Sequence, residues 1–504
     1  MRLSPLLRRI PLVSTFLCAM LSAAFVPGGC GGSASRETDI PVTTAVHEAR
    51  VLFLQGRDAL DLAREEDARI LFDRAIEADS AFALAFLYRG LVAGTPDEKR
   101  VFLDQATRHA SEASLGERLL IGLHQAAMQN DLPRRDSFAR RLREAYPQGS
   151  RALYEAAVVA AEEQRPYDAR ELLEISIDHN GLFVPALRAM ARSYLFDDPV
   201  DAREAERYAS RYVTLYPEEA DAHILLGDVY RAQNQYEDAR GEYTRAAMLD
   251  RDSYMAYIKR GHALTFIGLY VDARKDYARA TELGHGAAKA RAANYRTLTW
   301  IHDGDIPTAI KENEAVLHTL PLLGLDEHSD MQAYTALWES RFRMCLEAGR
   351  FDDATAALAQ CTRLARALAE RVEEQNYRRV SESEIALMEA DLALARGEIV
   401  AARGHVDRAA DFLRPIRSAR KWEHTELLRA RIALAEQQPA RALEHLSEAN
   451  QDLIQVKYHR ALALDAMGRT EEARRMFEEV ASWDFNDIEF ALIRHKAEAH
   501  LHAG

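Results

Sequence analysis

The sequence predicts an all-α protein built as a solenoid of paired helices. Three observations lead to this fold class: a residue pattern that repeats every 34 positions between Glu218 and Gly284, apolar residues that recur with helical period, and a composition that favours helix. The 504 residues are 48% hydrophobic and 29% charged, with 24 glycines and 15 prolines, and β-branched runs are scarce. A formal charge of −14 argues against a phosphate-binding surface, so nucleic acid is not expected as a partner.

Two copies of one motif lie end to end in this stretch. Each copy has a small residue in a first helical run, followed by an alanine and a tyrosine in a second run. Small residues let two helices approach closely, and the rings fill the space that remains. Each copy therefore predicts a pair of short amphipathic helices. The predicted packing residues are Gly227, Tyr230, Ala239, Tyr243, Gly261, Ala273 and Tyr277.

The period and the order of these residues resemble the tetratricopeptide repeat, whose pattern is W-x2-L-G-x2-Y, then A-x3-F, then Pro. The first copy has His223, Leu226-Gly227 and Tyr230 at the positions of the first motif, and Tyr257 replaces the Trp in the second copy. The resemblance implies a right-handed α-solenoid of about 11 to 12 helix-turn-helix repeats with a C-terminal capping helix.

The amino-terminal residues 1–29 predict an export signal. Basic residues precede an apolar stretch from Ile10 to Phe25. The segment that ends at Cys30 resembles a bacterial lipobox, which implies lipidation of Cys30, although Pro27 stands where the lipobox has Leu. Ordinary cleavage after Ala24 is the alternative. The resemblance implies an exported protein that is lipid-anchored in the periplasm or at the outer membrane of a bacterium.

The chain after the signal divides into four predicted parts. Residues 30–43 are expected to form a flexible tether, and residues 44–317 a continuous solenoid with two degenerate repeats before Pro147. Residues 318–330 predict a loop insertion. Residues 331–504 predict repeats with longer helices and a capping helix from Ile488 to Leu501. An alanine marks the second helix of each clear repeat, at positions Ala68, Ala169, Ala205, Ala239, Ala273, Ala309, Ala354, Ala402, Ala442 and Ala473.

No motif for catalysis or for nucleotide binding is found, so no catalytic residue and no cofactor are predicted and the chain is not expected to be an enzyme. Asp303, Asp305 and Glu314 have the spacing of calcium-loop ligands. However, Pro307 and Thr308 occupy positions that need a ligand and a glycine, which favours a helix-helix turn.

Histidines and cysteines in the repeats also predict no metal site and no disulfide. His495, His500 and His502 have no Cys or carboxylate at ligand spacing, which favours a solvated chain end. Cys345 and Cys361 lie too far apart in the register of one helix pair for a disulfide, so both are predicted to be buried free thiols.

The resemblance implies that the first helices line a concave wall and present side chains to a partner. The inward positions are Asp221, Ile224, Asp228, Arg231, Met255, Ile258, His262, Thr265, Phe266, Arg291, Asn294 and Tyr295. The leading hypothesis is a membrane-anchored, non-catalytic scaffold that binds a peptide or a protein in this groove. One alternative is a glycan-binding outer-membrane lipoprotein of a nutrient-uptake system, and another is an enzyme accessory subunit.

Overall fold

The computed structural model describes residues 39–319 and 328–502, apart from the single positions 373, 419, 452 and 484. Within these residues the regular structure consists of 25 α-helices and one short 3₁₀ helix, Ala110–Glu112, and contains no strand. The all-α prediction is therefore confirmed. The predicted export signal, Cys30 and the tether up to residue 38 lie outside the described residues, as do residues 320–327 of the predicted loop insertion.

Successive helices pair as hairpins that stack along the chain. The first six hairpins are α1 (His47–Asp61) with α2 (Glu65–Ala78), α3 (Ala83–Leu91) with α4 (Pro96–Arg108), α5 (Leu115–Met128) with α6 (Leu132–Ala145), α7 (Ser150–Glu162) with α8 (Pro166–His179), α9 (Val184–Phe196) with α10 (Ala202–Leu215), and α11 (Ala220–Ala232) with α12 (Tyr236–Leu249).

Six more hairpins follow, and a single helix closes the array. They are α13 (Tyr254–Phe266) with α14 (Tyr270–Leu283), α15 (Gly286–His302) with α16 (Ile306–Thr319), α17 (His328–Glu347) with α18 (Phe351–Val372), α19 (Gln375–Ala395) with α20 (Ile399–Leu413), α21 (Glu423–Ala435) with α22 (Pro439–Glu448), and α23 (Ile454–Ala466) with α24 (Thr470–Ala481), and the closing helix is α25 (Ile488–His502). Twelve hairpins in the described residues and a final helix confirm the predicted solenoid of about 11 to 12 repeats.

Small residues lie where the two helices of a hairpin touch. The ten alanines that mark the second helices are all at most 1% exposed. A Cβ atom on Gly227 would lie 2.5 Å from the ring of Tyr243, and one on Gly261 would lie 2.6 Å from the ring of Tyr277. Tyr230 is half-buried and packs against Ala239 and Tyr243. The helices of each hairpin are therefore as close as these small residues allow.

Most hairpins turn in the same way between their two helices. Ten turns contain one residue with a positive φ, which ends the first helix as a left-handed cap. After Gly268, for example, the N–H of Leu269 donates to the carbonyl of Leu264 at 2.8 Å. The ten residues are Ala63, Asn130, Gln164, Asn234, Gly268, Gly304, Gly349, Gly397, Gln437 and Gly468.

The solenoid folds back on itself at its C-terminal end. Helix α25 packs on α23 and α24, as a capping helix should, but it also contacts α15 and α17. The two long helices expected between Asp352 and Arg396 are α18 and α19, with 22 and 21 residues. Among the described helices, none has the length and apolar character that crossing a bilayer requires.

Candidate functional site

The first helices of the hairpins form the inner wall of the solenoid. Helices α7, α9, α11, α13 and α15 contact one another in succession. Side chains four residues apart on these helices share one face, so a row of such positions presents a continuous surface. Two cavities open on this wall, one between α7 and α9 and one along α11, α13 and α15.

The first cavity, which we call the α7–α9 cleft, has a volume of about 620 Å³. Tyr154 and Val158 line it from α7, and Arg188, Arg192 and Phe196 line it from α9. In each helix these residues are spaced by four, so one face of the helix carries them all. Phe196 is 57% exposed, which is unusual for a side chain of its size. The cleft therefore offers apolar contact surface that no described residue covers.

The charges of the cleft are unequally compensated. Arg188 Nε lies 2.8 Å from Asp221 Oδ2, so this predicted wall residue neutralises one of the two arginines. Arg192 lies 5.7 Å from the centre of the Phe196 ring and forms no ion pair with any residue that the structure describes. Burial raises the pKa of Tyr154 to about 12, so its hydroxyl is neutral. Asp197 and Glu162 also line the cleft, so it combines apolar walls with charges of both signs, among which Arg192 has no ion pair within the described residues.

The second cavity, of about 210 Å³, lies where the sequence placed the binding groove. Six predicted inward residues line it together: Arg231, Met255, Ile258, His262, Arg291 and Tyr295. Tyr254 and Lys259 complete this wall, and Phe485 and Asn486 close the cavity from the C-terminal end of the chain. This part of the predicted groove is consequently occupied by the protein itself.

Several predicted inward positions are packed between helices and are not open to a partner. Asp228, Arg231, Ile258, Thr265 and Phe266 are all at most 8% exposed. They are buried because neighbouring first helices pack closely, and α25 also covers Phe266 at the end of α13. Substitutions at these positions would therefore disturb folding as well as any binding.

Three further predicted wall residues lie outside both cavities. Asp228 accepts a hydrogen bond from the Tyr243 hydroxyl at 2.7 Å and pairs with Lys259 at 2.9 Å. Ile224 is partly buried against α12 and α13. Asn294 is partly buried, and its Oδ1 has no hydrogen-bond partner among the described residues. None of these three positions lines the α7–α9 cleft or the cavity along α11, α13 and α15.

The segment from Phe485 to His502, which we call the C-terminal clasp, holds α13, α15 and α17 together. Arg494 donates to the carbonyl of Phe266 at 3.3 Å, and His495 bonds to the carbonyl of His302 at 2.6 Å. These carbonyls lie at the C-terminal ends of α13 and α15, where a helix has acceptors without partners of its own. Lys496 pairs with Glu347 at 2.7 Å.

Asn486 is the most buried polar residue of the clasp, at 5% exposed. Its Nδ2 lies 3.1 Å from the Tyr277 hydroxyl and 3.2 Å from His262 Nδ1, and its Oδ1 lies 3.1 Å from His302 Nε2. Burial lowers the pKa of His302 to about 3 and also lowers that of His262. Both imidazoles are therefore neutral at pH 7.

The clasp was missed because repeat periodicity describes only contacts between neighbouring repeats. One signal for it was present in the sequence of α25. Its apolar residues surround the helix instead of forming one stripe: Phe490, Ala491, Ile493 and Ala497 are buried, and Ile488 and Leu492 pack on a different cluster from Leu501. A helix that is apolar all round is buried on more than one side.

A buried ion network lies on the inner wall of the later repeats. Asp391 in α19 is 1% exposed and pairs with Arg343 of α17 and Arg431 of α21. Burial by itself would raise the pKa of Asp391, but the two guanidinium groups outweigh it and keep the pKa below its ordinary value. Arg343 also reaches Glu489 of the clasp at 2.9 Å.

The other sequence-predicted positions have ordinary structural roles. Asp303 and Asp305 lie in the turn between α15 and α16, where Asp305 accepts from the N–H of Thr308 at 3.0 Å. His500 stacks on Phe477 with ring centres 4.4 Å apart. Within the described residues, no group of three or more His, Cys, Asp or Glu side chains could hold a metal ion.

Cys345 and Cys361 are both buried and free in the structure. Burial raises the pKa of the Cys361 thiol to about 12 and also raises that of Cys345. Because only the thiolate is strongly nucleophilic, both side chains are chemically quiet at pH 7.

Two stretches of the chain match a family model of the tetratricopeptide repeat, residues 220–253 and residues 454–487. The first begins with α11 and ends after α12, and the second begins with α23 and ends after α24. A search of the curated proteins found no match. The two family matches support a protein–protein interaction scaffold.

Several solved structures are similar to this chain at low sequence identity. The APC/C hetero-tetramer Cut9–Hcn1 is 14% identical over 92% of this chain and 78% of that chain, with a TM-score of 0.42. A tetratricopeptide repeat protein from Parabacteroides merdae is 15% identical over 64% of this chain and 98% of that chain, with a TM-score of 0.35. YrrB, described as having an unusual peptide-binding site, is 16% identical over 39% of this chain and 96% of that chain, with a TM-score of 0.29.

Proposed function

We propose that this chain is a non-catalytic scaffold that binds an extended, acidic segment of a partner protein in the α7–α9 cleft. The observation that carries this proposal is the exposed Phe196 beside Arg192, a cation that forms no ion pair within the described residues. We further propose that lipid on Cys30 holds the scaffold at a bacterial membrane.

The apolar part of the cleft supplies the contact area. Tyr154 and Val158 line the cleft from α7, and Phe196 lines it from α9. Aromatic anchors in a pocket carry much of the binding energy in protein interfaces. An extended peptide that runs across successive first helices can place alternate side chains in such a pocket.

The positive charge of Arg192 favours the binding of acidic peptides over neutral ones. A local cation attracts an acidic segment even on a protein whose overall formal charge is −14. Arg188 already pairs with Asp221, so Arg192 is the arginine of the cleft that can donate hydrogen bonds to a partner's carboxylate. A guanidinium can hold a carboxylate with two parallel hydrogen bonds, which fixes the ligand's direction.

Replacing Arg192 with glutamate and Phe196 with alanine should lower the affinity for acidic peptides at least about tenfold, since the change removes one charge pair and one aromatic anchor. Binding is measured by fluorescence anisotropy on a panel of extended peptides with matched acidic and neutral members, chosen after cross-linking capture of the partner in the native cell.

The matched control lies on the outer helix α12, where Arg240→Glu and Met248→Ala change an exposed cation and an apolar side chain that is 64% exposed. The control should leave affinity unchanged. If it abolishes binding while the inner pair does not, or if the chain binds glycans on an array and no peptide, the cleft is not the recognition surface.

Mass spectrometry of the mature amino terminus tests the anchor. We expect the chain to begin at Cys30 with the added mass of a lipid. The residues between Cys30 and Asp39 can extend over about 30 Å, which would keep the first hairpin close to the bilayer. A chain that starts near residue 25 with an unmodified Cys30 would show that no lipid is attached there. If the lipid is attached at Cys30, the variant Cys30→Ala should leave the membrane fraction.

A further inference from the structure

Asn486, His262, His302 and Tyr277 form a buried polar cluster, which we call the hub. Contacts within the hub constrain the protonation of the two histidines. The Asn486 carboxamide presents one acceptor and one donor end, and these face His302 Nε2 and His262 Nδ1 at 3.1 Å and 3.2 Å. If His262 carried a proton on Nδ1, this nitrogen would become a donor that faces the donor end of the Asn486 amide, and its acceptor would have to be the Tyr277 hydroxyl, 2.8 Å away. Protonation of His262 therefore removes the hydrogen bond that joins it to Asn486.

A second observation at His302 points the same way. The ring is fully buried, and its Nδ1 has no hydrogen-bond partner among the described residues. Protonation would place an N–H at this position without an acceptor, which is costly in an apolar interior. The His302 ring also packs against Phe490 of the clasp with centres 5.7 Å apart, so it cannot turn to water while α25 stays in place.

The groups around the two rings do not compensate an added charge. His262 faces Arg231, Lys259, Tyr277, Tyr295 and His302. His302 faces Tyr270 of α14 and, from the clasp, Arg494 and His495. The charged neighbours of both histidines are therefore cations, which disfavour a further positive charge.

We propose that the C-terminal clasp is a pH-sensitive lock that releases α25 from α13 and α15 when His262 and His302 become protonated. Release would uncover the cavity along α11, α13 and α15 and the end of α13 at Phe266. The lock goes beyond the proposed peptide binding and does not depend on it, because it concerns only contacts within the chain.

Protonation of one carboxyl group of the clasp, that of Asp487, has the opposite effect on docking from protonation of the histidines. Burial raises the pKa of Asp487 from 3.8 to about 6, so its protonation favours the docked state as the pH falls through 6. The His302 pKa falls from 6.5 to about 3 on docking, and stability that depends on this neutral histidine is lost as the pH falls below 6.5. The two histidines together outweigh the single carboxyl group.

The pKa shifts of these groups give the expected size of the change in docking with pH. Between roughly pH 7.5 and 5.5, His302 shifts the docking equilibrium about tenfold toward release and Asp487 shifts it about fourfold back, which leaves a net change of about 2.5-fold toward release. Protonation of His262 adds to this change in the same direction. Hydrogen–deuterium exchange of residues 486–502 in the full mature chain, corrected for the intrinsic rate at each pH, measures this equilibrium. Equal protection of α25 at both pH values would overturn the proposal.

Variants identify the groups responsible. His262→Asn keeps an acceptor near the Nδ1 position and His302→Gln keeps a donor near the Nε2 position, and neither side chain titrates. The double variant should keep α25 docked with little response to pH, while His500→Gln, which lies outside the hub, should respond like the natural chain. If the double variant fails to dock, the single variants decide the assignment: His302→Gln should lose about tenfold of the response, and His262→Asn should lose part of it. A natural response in both single variants would overturn the assignment.

Discussion

Replacing Asp391 with asparagine is expected to remove about 3–5 kcal/mol from the stability of the later repeats. The carboxylate is 1% exposed and lies between Arg343 and Arg431, so the neutral amide would leave the partly buried Arg431 without its counter-ion and Arg343 with Glu489 alone. The damage should extend over α17, α19 and α21 and should reach the clasp, because Arg343 also holds Glu489. Thermal unfolding combined with hydrogen exchange of residues 331–440 measures the loss.

The matched control is Asp411→Asn on α20, whose carboxylate pairs with Arg414 while both side chains are more than half exposed. Exposed pairs of this kind contribute about 0–1 kcal/mol, so the control should melt like the natural chain. Similar melting of the two variants would mean that the buried network does not stabilise these repeats. Because the pKa of Asp391 is lowered, the contribution of the network is fully present above pH 3.8 and disappears only as the pH falls through the lowered pKa.

Gly227→Leu should destabilise the centre of the solenoid by about 1–3 kcal/mol or more. A Cβ atom alone would lie 2.5 Å from the Tyr243 ring, and that ring is fully buried and fixed by its hydrogen bond to Asp228. Neither partner can move away without opening the hairpin of α11 and α12. Since each repeat is held mainly by its neighbours, we expect lost cooperativity of unfolding and new protease sensitivity between residues 220 and 283.

Gly241→Leu provides the control within the same hairpin. No atom lies within 4 Å of a Cβ built at Gly241, and the residue is exposed on α12. Leucine favours helix over glycine by about 0.5–1 kcal/mol, so this variant should be as stable as the natural chain or slightly more stable. The same substitution should therefore have opposite effects at two positions of one helix pair. Equal effects would show that Gly227 is not at a tight helix contact.

The hairpins and their packing could be predicted because they depend on residues within one repeat. Gly227 and Tyr243 belong to one 34-residue unit, and the period locates each with respect to the other. The same reasoning placed Ala354 and Ala402 in helix contacts, although the intervals between them are irregular. The additional residues between the marker alanines lengthen helices α18 and α19. They do not change which residues face the partner helix.

The candidate site could be predicted only in part. The inner wall and the grouping of Met255, His262 and Tyr295 around one cavity follow from repeat geometry. The open part of the wall lies earlier in the chain, at Phe196 and Arg192, since α25 covers the predicted part. That cover depends on contacts such as Asn486 with His262, which are 224 residues apart and belong to no repeated pattern.

The return of α25 to the middle of the solenoid also determines when the protein becomes complete. A solenoid held only by neighbouring contacts can fold progressively as the chain emerges from its N-terminus. Here the hub at His262 must wait for Asn486, 224 residues later, which corresponds to about 10–45 s at the usual rates of protein synthesis. During that interval the end of α13 and the His302 ring have no cover. The middle repeats therefore reach their final packing only after the last residues have arrived.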